Sequence, residues 1–276
     1  MDLFKQAKAK KVLLAAHRGV SGGNIPCNSL QAFQIALNQG ADISELDVER
    51  SADGDLFVQH PGMERVHLRM RDSIKHYPTA LVEQLVLSNC DLSRTEWKIV
   101  RFEDALRLLK GKCIVNIDKF CENPEAIAKA VRILGMEDQV LIKTAPKPQF
   151  LDAVEQYAPD FAYMPMTREA FAAHELLKQR NINYVGAEVL FEREDAPEAS
   201  KEYIDMMHGE GKVLWSNAIV YNYRDVLAAY HNDDVSLIED PEKGWGWLAD
   251  RGFDIIQTDH LLPCRLFLEE TNRRNK

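Results

Sequence analysis

The 276-residue sequence predicts an α/β fold, a (β/α)8 TIM barrel with a small insertion after the second strand. Three observations carry that expectation. Eight short apolar runs of strand length recur along the chain, and amphipathic helical patterns lie between them. Polar residues, His17, Asp118, Lys143, Glu188, Asn217 and Asp259 among them, stand at the C-terminal ends of those runs. A barrel builds its site there from many strands, whereas an open sheet gathers polar residues at fewer strands beside a switch point.

The elements follow in order. VLLAAH (12–17) is the first strand, and SLQAFQIALNQG (29–40), with apolar residues three and four apart and a closing glycine, is a helix. ISELDV (43–48) is the second strand, and Asp53-Gly54 begins a tight hairpin after which LFVQH alternates again. Residues 61–100 are too long for a βα connection and are read as an inserted subdomain near the mouth. FEDALRLLKG (102–111), CIVNID (113–118), PEAIAKAVRILG (124–135) and VLIKT (140–144) continue the alternation. FAYMP (161–165), YVGAEV (184–189), KEYIDMMHGEG (201–211), VLWSN (213–217) and DIIQTD (254–259) complete it, with an irregular or partly helical excursion at 221–241. The chain is therefore expected to be one barrel domain over 1–276, with 61–100 embedded in it.

Composition limits what such a barrel can do. Thirty-four basic residues against 43 acidic ones give a net charge of −9, which argues against a surface that tracks nucleic-acid phosphates. Five cysteines without a C-x-x-C pair suggest reduced thiols rather than a disulfide framework or a zinc knuckle. No run approaches the roughly 18 apolar residues of a membrane span. The basic, then apolar, N-terminus is too short in its apolar part for a secretory signal and reads as leading into the first strand, so a cytoplasmic location is expected. No G-x-G-x-x-G or P-loop follows a strand.

The chemistry gathers at the second strand. Successive strand residues face opposite ways, so Glu45 and Asp47 share one face while Leu46 and Val48 share the other. If the apolar pair faces the helices, two carboxylates point into the barrel, where charges must be paired or bind a metal. Oxygen ligands at i and i+2 suit Mg²⁺ or Ca²⁺ better than Zn²⁺. A two-residue Asp53-Gly54 loop gives antiparallel partners whose numbers sum to 107, placing His60 opposite Asp47; a loop two residues longer places it opposite Glu45. His17 and Arg18 end the neighbouring strand, and Asp118 ends the third. Taken singly, each has a bland explanation as a hairpin's wet face or a structural histidine. Their convergence at adjacent strand ends points instead to metal-assisted chemistry on a phosphate or acyl group.

AHRG, followed by PCNSLQAFQIALNQGADISELDVERSADGDLFVQH, resembles the glycerophosphodiester phosphodiesterase family, whose pattern is H-R-G, P-E-N-[ST]-x-x-A-F, E-x-D, a D-G hairpin and H-D. VNIDK and the closing GFDIIQTDHLLP extend the similarity more weakly. The resemblance implies His17 and His60 as catalytic acid and base, Arg18 as a phosphate contact, and Glu45, Asp47 and Asp118 as ligands of a divalent cation. Three departures stand out: Cys27 replaces the family's Glu, Pro61 its Asp after the histidine, and Asp118 the Glu of many members. Asn28 and Ser29 remain suited to capping the first helix.

A small-molecule phosphodiester is the expected partner, with no nucleic acid and no membrane span. Either water or the glycerol 2-hydroxyl can supply the attacking oxygen. Lys143 is a candidate for a second positive charge on the phosphate, with a plain surface lysine as the alternative. Glu188 would bind substrate hydroxyls or pair with Lys143. Trp215 would line the pocket, or else be core. Lys119 is expected to point away from Asp118. The competing functions are a phospholipase D-type lipid phosphodiesterase, which needs an apolar rim, and a non-catalytic binding barrel, favoured only by Cys27 and Pro61.

Overall fold

In the computed structural model, which describes residues 2–276, the eight expected strands form a closed parallel barrel. They are β1 (Leu13–Ala16), β2 (Ile43–Arg50), β3 (Ile114–Asp118), β4 (Val140–Thr144), β5 (Ala162–Thr167), β6 (Gly186–Val189), β7 (Val213–Asn217) and β8 (Ile255–Thr258). Each pairs with the next, and β1 pairs with both β2 and β8, closing the ring. Alternation divides the apolar residues into two cores. Leu46, Val48, Val115, Ile117 and Ile142 pack outward beneath the helices, while Leu13, Ala15, Ile43, Ile114, Leu141, Met164, Val213, Trp215 and Ile255 fill the interior.

Helix Leu3–Lys10 precedes β1 and buries Leu3 and Ala7 in that interior core, at its N-terminal end. Sequence patterning does not reveal this helix, because only two of its residues are buried and four lysines fall among the rest or just after it. The opposite, C-terminal end is left to polar side chains.

Helix Leu30–Asn38 shows how the chain between β1 and β2 is fixed. Ser29 Oγ accepts a hydrogen bond from the Ala32 N–H at 3.1 Å, while Ala32, Phe33 and Ala36 are buried. Asn28 does not share the capping, because its side chain is committed to Asp47. Gly19, at φ +76°, is pressed so close that a Cβ there would lie 2.7 Å from the Ala32 carbonyl carbon. Ser29→Ala should therefore cost about 1 kcal/mol, measurable as a lowered thermal midpoint.

The hairpin register differs from both expected alternatives. Val48 pairs with Val58 and Arg50 with Leu56, so partner numbers sum to 106. The Ser51 N–H donates to the Asp55 carbonyl at 2.8 Å, enclosing a three-residue loop with Gly54 at φ +95°. One extra loop residue shifts the pairing by one. His60 consequently reaches Asp47 not as a cross-strand partner but because the strand ends at Val58 and the chain turns inward.

Residues after His60 form short helices at Glu64–His67 and Thr79–Val82 and an antiparallel pair, Val86–Ser88 with Arg94–Lys98. They gather around a separate small core of Phe57, Leu68, Ile74, Val82, Leu87 and Ile99. Val100–Arg101 then returns beside Leu56–Val58, so the segment leaves and re-enters at neighbouring points. No helix among the described residues is long and apolar enough to cross a membrane.

Candidate active site

At the C-terminal mouth, Glu45, Asp47 and Asp118 bring carboxylate oxygens within 4.8 Å of one another. Strand alternation and the β2–β3 register, which sets Asp47 beside Asp118, explain the cluster. The Arg18 N–H donates to Glu45 Oε2 at 2.8 Å, and Asn28 Nδ2 donates to Asp47 Oδ2 at 2.9 Å. Arg18 Nε lies 3.0 Å from the same Asp47 oxygen. Asp47 Oδ1 remains buried without a hydrogen-bond partner among the described residues.

The three carboxyls differ electrostatically. Burial, followed by the charge of Asp47, pushes the Glu45 carboxyl well above its usual range. Burial acts in the same direction on Asp118, but the Lys119 and Lys143 charges outweigh it and hold that carboxyl low. An orphaned buried oxygen, an all-oxygen donor set and mutual repulsion fit a hard divalent cation.

Two histidines line the same cleft as this cluster. His17 Nδ1 donates to Asp259 Oδ1 at 2.8 Å. His60 Nδ1 lies 2.8 Å from the Pro61 carbonyl, which can only accept, so Nδ1 carries the proton and Nε2 keeps its lone pair. Nε2 lies 3.9 Å from Asp47 Oδ1. Pro61 thus supports His60 through its carbonyl oxygen rather than through a side chain. Burial lowers the pKa of His60, with Arg18 and Lys119 adding to the effect against Asp47. For His17 burial also opposes the charge, but the Asp259 hydrogen bond and Glu45 prevail, so its pKa is raised.

Lys119 is not where alternation sends it. Its φ of +61° puts the backbone in the left-handed region, and its side chain turns back to pair with Asp118 and line the mouth. Lys143 is buried and ion-paired to Glu188 at 2.5 Å, with its ammonium 3.8 Å from the centre of the Trp215 ring. Asn217 Nδ2 donates to the other Glu188 oxygen at 2.6 Å. Trp215 is fully buried against the lysine, with Nε1 donating to Asn217 and Gln257, and it is not among the residues that line the cleft.

The cleft encloses about 370 Å³. Its charged lining includes His17, Arg18, Glu45, His60, Asp118 and Lys119. Met166, at the end of β5, and Leu190, Ile219, Tyr221 and Leu227, beyond strand ends, add an apolar wall, which the sequence reading missed because no spacing marks loop residues as cleft-facing. The role of Asp259 was also missed, although its place at the end of β8 beside β1 was the available signal. Cys27 Sγ sits 3.6 Å from His67 Nε2, linking the inserted segment to the loop after β1.

Fold and site together define a (β/α)8 barrel whose mouth carries a three-carboxylate cluster flanked by two histidines and an arginine. In sequence, the chain is 30% identical over 141 residues to the uncharacterised protein YqiK of Bacillus subtilis (strain 168), covering 47% of this chain and 56% of that protein. It is 29% identical over 138 residues to a glycerophosphodiester phosphodiesterase of Bacillus altitudinis, with the same coverage of each. The matches thus span about half the length of these curated relatives.

In structure, the chain is similar to a glycerophosphoryl diester phosphodiesterase of Parabacteroides distasonis ATCC 8503, with a TM-score of 0.79 at 20% identity over 94% of this chain and 87% of that one. A phosphodiesterase of Oleispira antarctica, solved with the product sn-glycerol-3-phosphate, gives a TM-score of 0.68 at 20% identity over 93% and 96%. A family model, DUF4996, described as a domain of unknown function, matches residues 163–268. The resemblance seen in HRG and ELD is therefore borne out: this chain is similar to glycerophosphodiester phosphodiesterases in fold over nearly its whole length.

Proposed function

We propose that the chain is a metal-dependent glycerophosphodiester phosphodiesterase that cleaves small diesters to glycerol phosphate and an alcohol by two-histidine acid–base catalysis. The observation that carries this reading is that two oppositely biased histidines adjoin the carboxylate cluster in one cleft, His60 beside Asp47 and His17 within reach of the Glu45 charge. The product named for the Oleispira antarctica enzyme is of the same chemical class.

Glu45, Asp47 and Asp118 would hold Mg²⁺ or Ca²⁺. Bound there, the ion would polarise the phosphoryl group and offset its charge. Arg18 lines the cleft and would neutralise phosphate oxygens from the protein side. His60 Nε2, with a free lone pair, accepts the proton of the attacking hydroxyl. His17, held protonated by Asp259, delivers a proton to the leaving alkoxide. Lys143 and Glu188 neutralise each other and would shape the floor for the glycerol hydroxyls, with Trp215 supporting them from below.

The pH profile should be bell-shaped. His60 has a pKa below the ordinary value of about 6.5 and must be neutral, so activity falls on the acid side as it protonates. His17 has its pKa above about 6.5 and must be charged, so activity falls on the alkaline side as it loses its proton. Removing either histidine should erase one limb of the rate profile.

Turnover of glycerophosphocholine with and without EDTA tests the reading directly. Chelation should silence the enzyme and Mg²⁺ or Ca²⁺ restore it, and ion at about 100 times its dissociation constant should add about 2.7 kcal/mol of stability. Full activity in chelator, with no thermal shift on adding either ion, would sink the metal assignment.

A further inference from the structure

Behind His17 stands a buried carboxylate that the cleft does not use. Asp233 is 2% exposed, begins the short helix Asp233–Ile238 and takes no part in lining the cleft. Its carboxylate accepts three hydrogen bonds. Oδ1 accepts from Trp245 Nε1 at 2.7 Å and from Thr258 Oγ1 at 2.6 Å, while Oδ2 accepts from the Asp259 main-chain N–H at 2.8 Å. Asp259 in turn accepts from His17 Nδ1 at 2.8 Å.

A second connection runs the other way along the chain. The Asp233 main-chain N–H donates to the Ala218 carbonyl at 2.7 Å, closing the base of the segment whose Ile219, Tyr221 and Leu227 wall the cleft. One buried residue therefore joins the end of β7, the end of β8 and the partner of His17. Burying a carboxylate is costly unless its donors are fixed, so this junction is held in one arrangement. The Asp259 side chain is 46% exposed, and the anchored peptide beneath it is what sets its position.

We propose that Asp233 is a positioning residue: by holding the Asp259 N–H it sets where the Asp259 carboxylate stands, and so the tautomer and ring orientation of His17. It also ties the apolar wall of the cleft to the same point, so the wall and the acid group keep a fixed separation. The catalytic consequence rests on the role proposed above for His17; the effect on the His17 ring does not.

The test compares the full-length wild type with Asp233→Asn, Asp259→Asn and the double variant. The Asp233→Asn change keeps the shape of the side chain but leaves one acceptor oxygen where the aspartate has two, so the three donors can no longer all be met. Nitrogen NMR at alkaline pH, where the His17 ring is neutral, should show the Nδ1–H tautomer in the wild type and a mixture of tautomers in Asp233→Asn. With glycerophosphocholine, kcat should fall about 10- to 100-fold with KM little changed, the size expected of a misplaced reacting group. The double variant should be no slower than Asp259→Asn alone, because Asp233 acts through Asp259.

Unchanged His17 ring signals in Asp233→Asn, or losses that simply multiply in the double variant, would overturn the inference. If the wild type fails to turn over any glycerophosphodiester while Asp233→Asn still disturbs the His17 ring, the proposed function fails and the positioning role stands.

Discussion

Alanine at His17 or at His60 is expected to reduce glycerophosphodiester turnover by about 10²- to 10⁴-fold, the range for loss of a positioned acid or base. Circular dichroism and thermal midpoint should stay close to wild type, because both rings line a cleft rather than fill a core. The two variants should differ with the leaving group. A p-nitrophenolate leaves without protonation, so His17→Ala should lose far less on a p-nitrophenyl phosphodiester than on glycerophosphocholine. His60→Ala should lose heavily on both, since activating the nucleophile is still required. Near-normal rates on glycerophosphocholine in both variants would remove the basis for two-histidine catalysis.

The largest expected effect on stability comes from the Lys143–Glu188 pair. Both residues are 3% exposed, with an ion-pair distance of 2.5 Å. Glu188→Ala would leave an ammonium buried on the Trp215 ring without its counter-ion, costing about 3–5 kcal/mol in urea unfolding. Lys143→Met combined with Glu188→Leu removes both charges and should recover most of that loss, because a buried pair contributes little net stability over apolar residues of similar size. A double variant as unstable as Glu188→Ala would show that the pair stabilises in its own right. The same double variant should bind a polyol-bearing product more weakly if the pair shapes the floor of the cleft.

Residues whose role follows from strand periodicity were legible in the sequence. The eight strands and the inward face of Glu45 and Asp47 needed only alternation, and His17, Asp118 and Glu188 needed only the rule that barrel strands end at the mouth. The resemblance in HRG and ELD carried the functional assignment further than periodicity could. What was not legible depends on backbone torsions or on distant loops. The hairpin register turned on whether Gly54 closes a two- or three-residue loop, which the D-G dipeptide alone does not decide. Trp215 reads equally as lining or core until the lysine above it is placed. Asp233 opens a helix of six residues, too short to show a period in the sequence, and its tie to Asp259 spans 26 residues.

The left-handed backbone at Arg18 and Lys119 has a consequence for how densely this mouth is furnished. Each residue directly follows a mouth residue, His17 or Asp118, and in an extended strand such a follower is turned toward the helices. Positive φ values of 56° and 61° rotate both back, so two adjacent positions at one strand end serve the same cavity. Charge and backbone shape can therefore be separated at these sites. Glycine at either position removes the cation while easing the torsion by about 1 kcal/mol, whereas an isoleucine would lose the cation and strain the turn as well. A barrel whose strands are only four to eight residues long thereby offers its ligand more contacts than one inward side chain per strand end would permit.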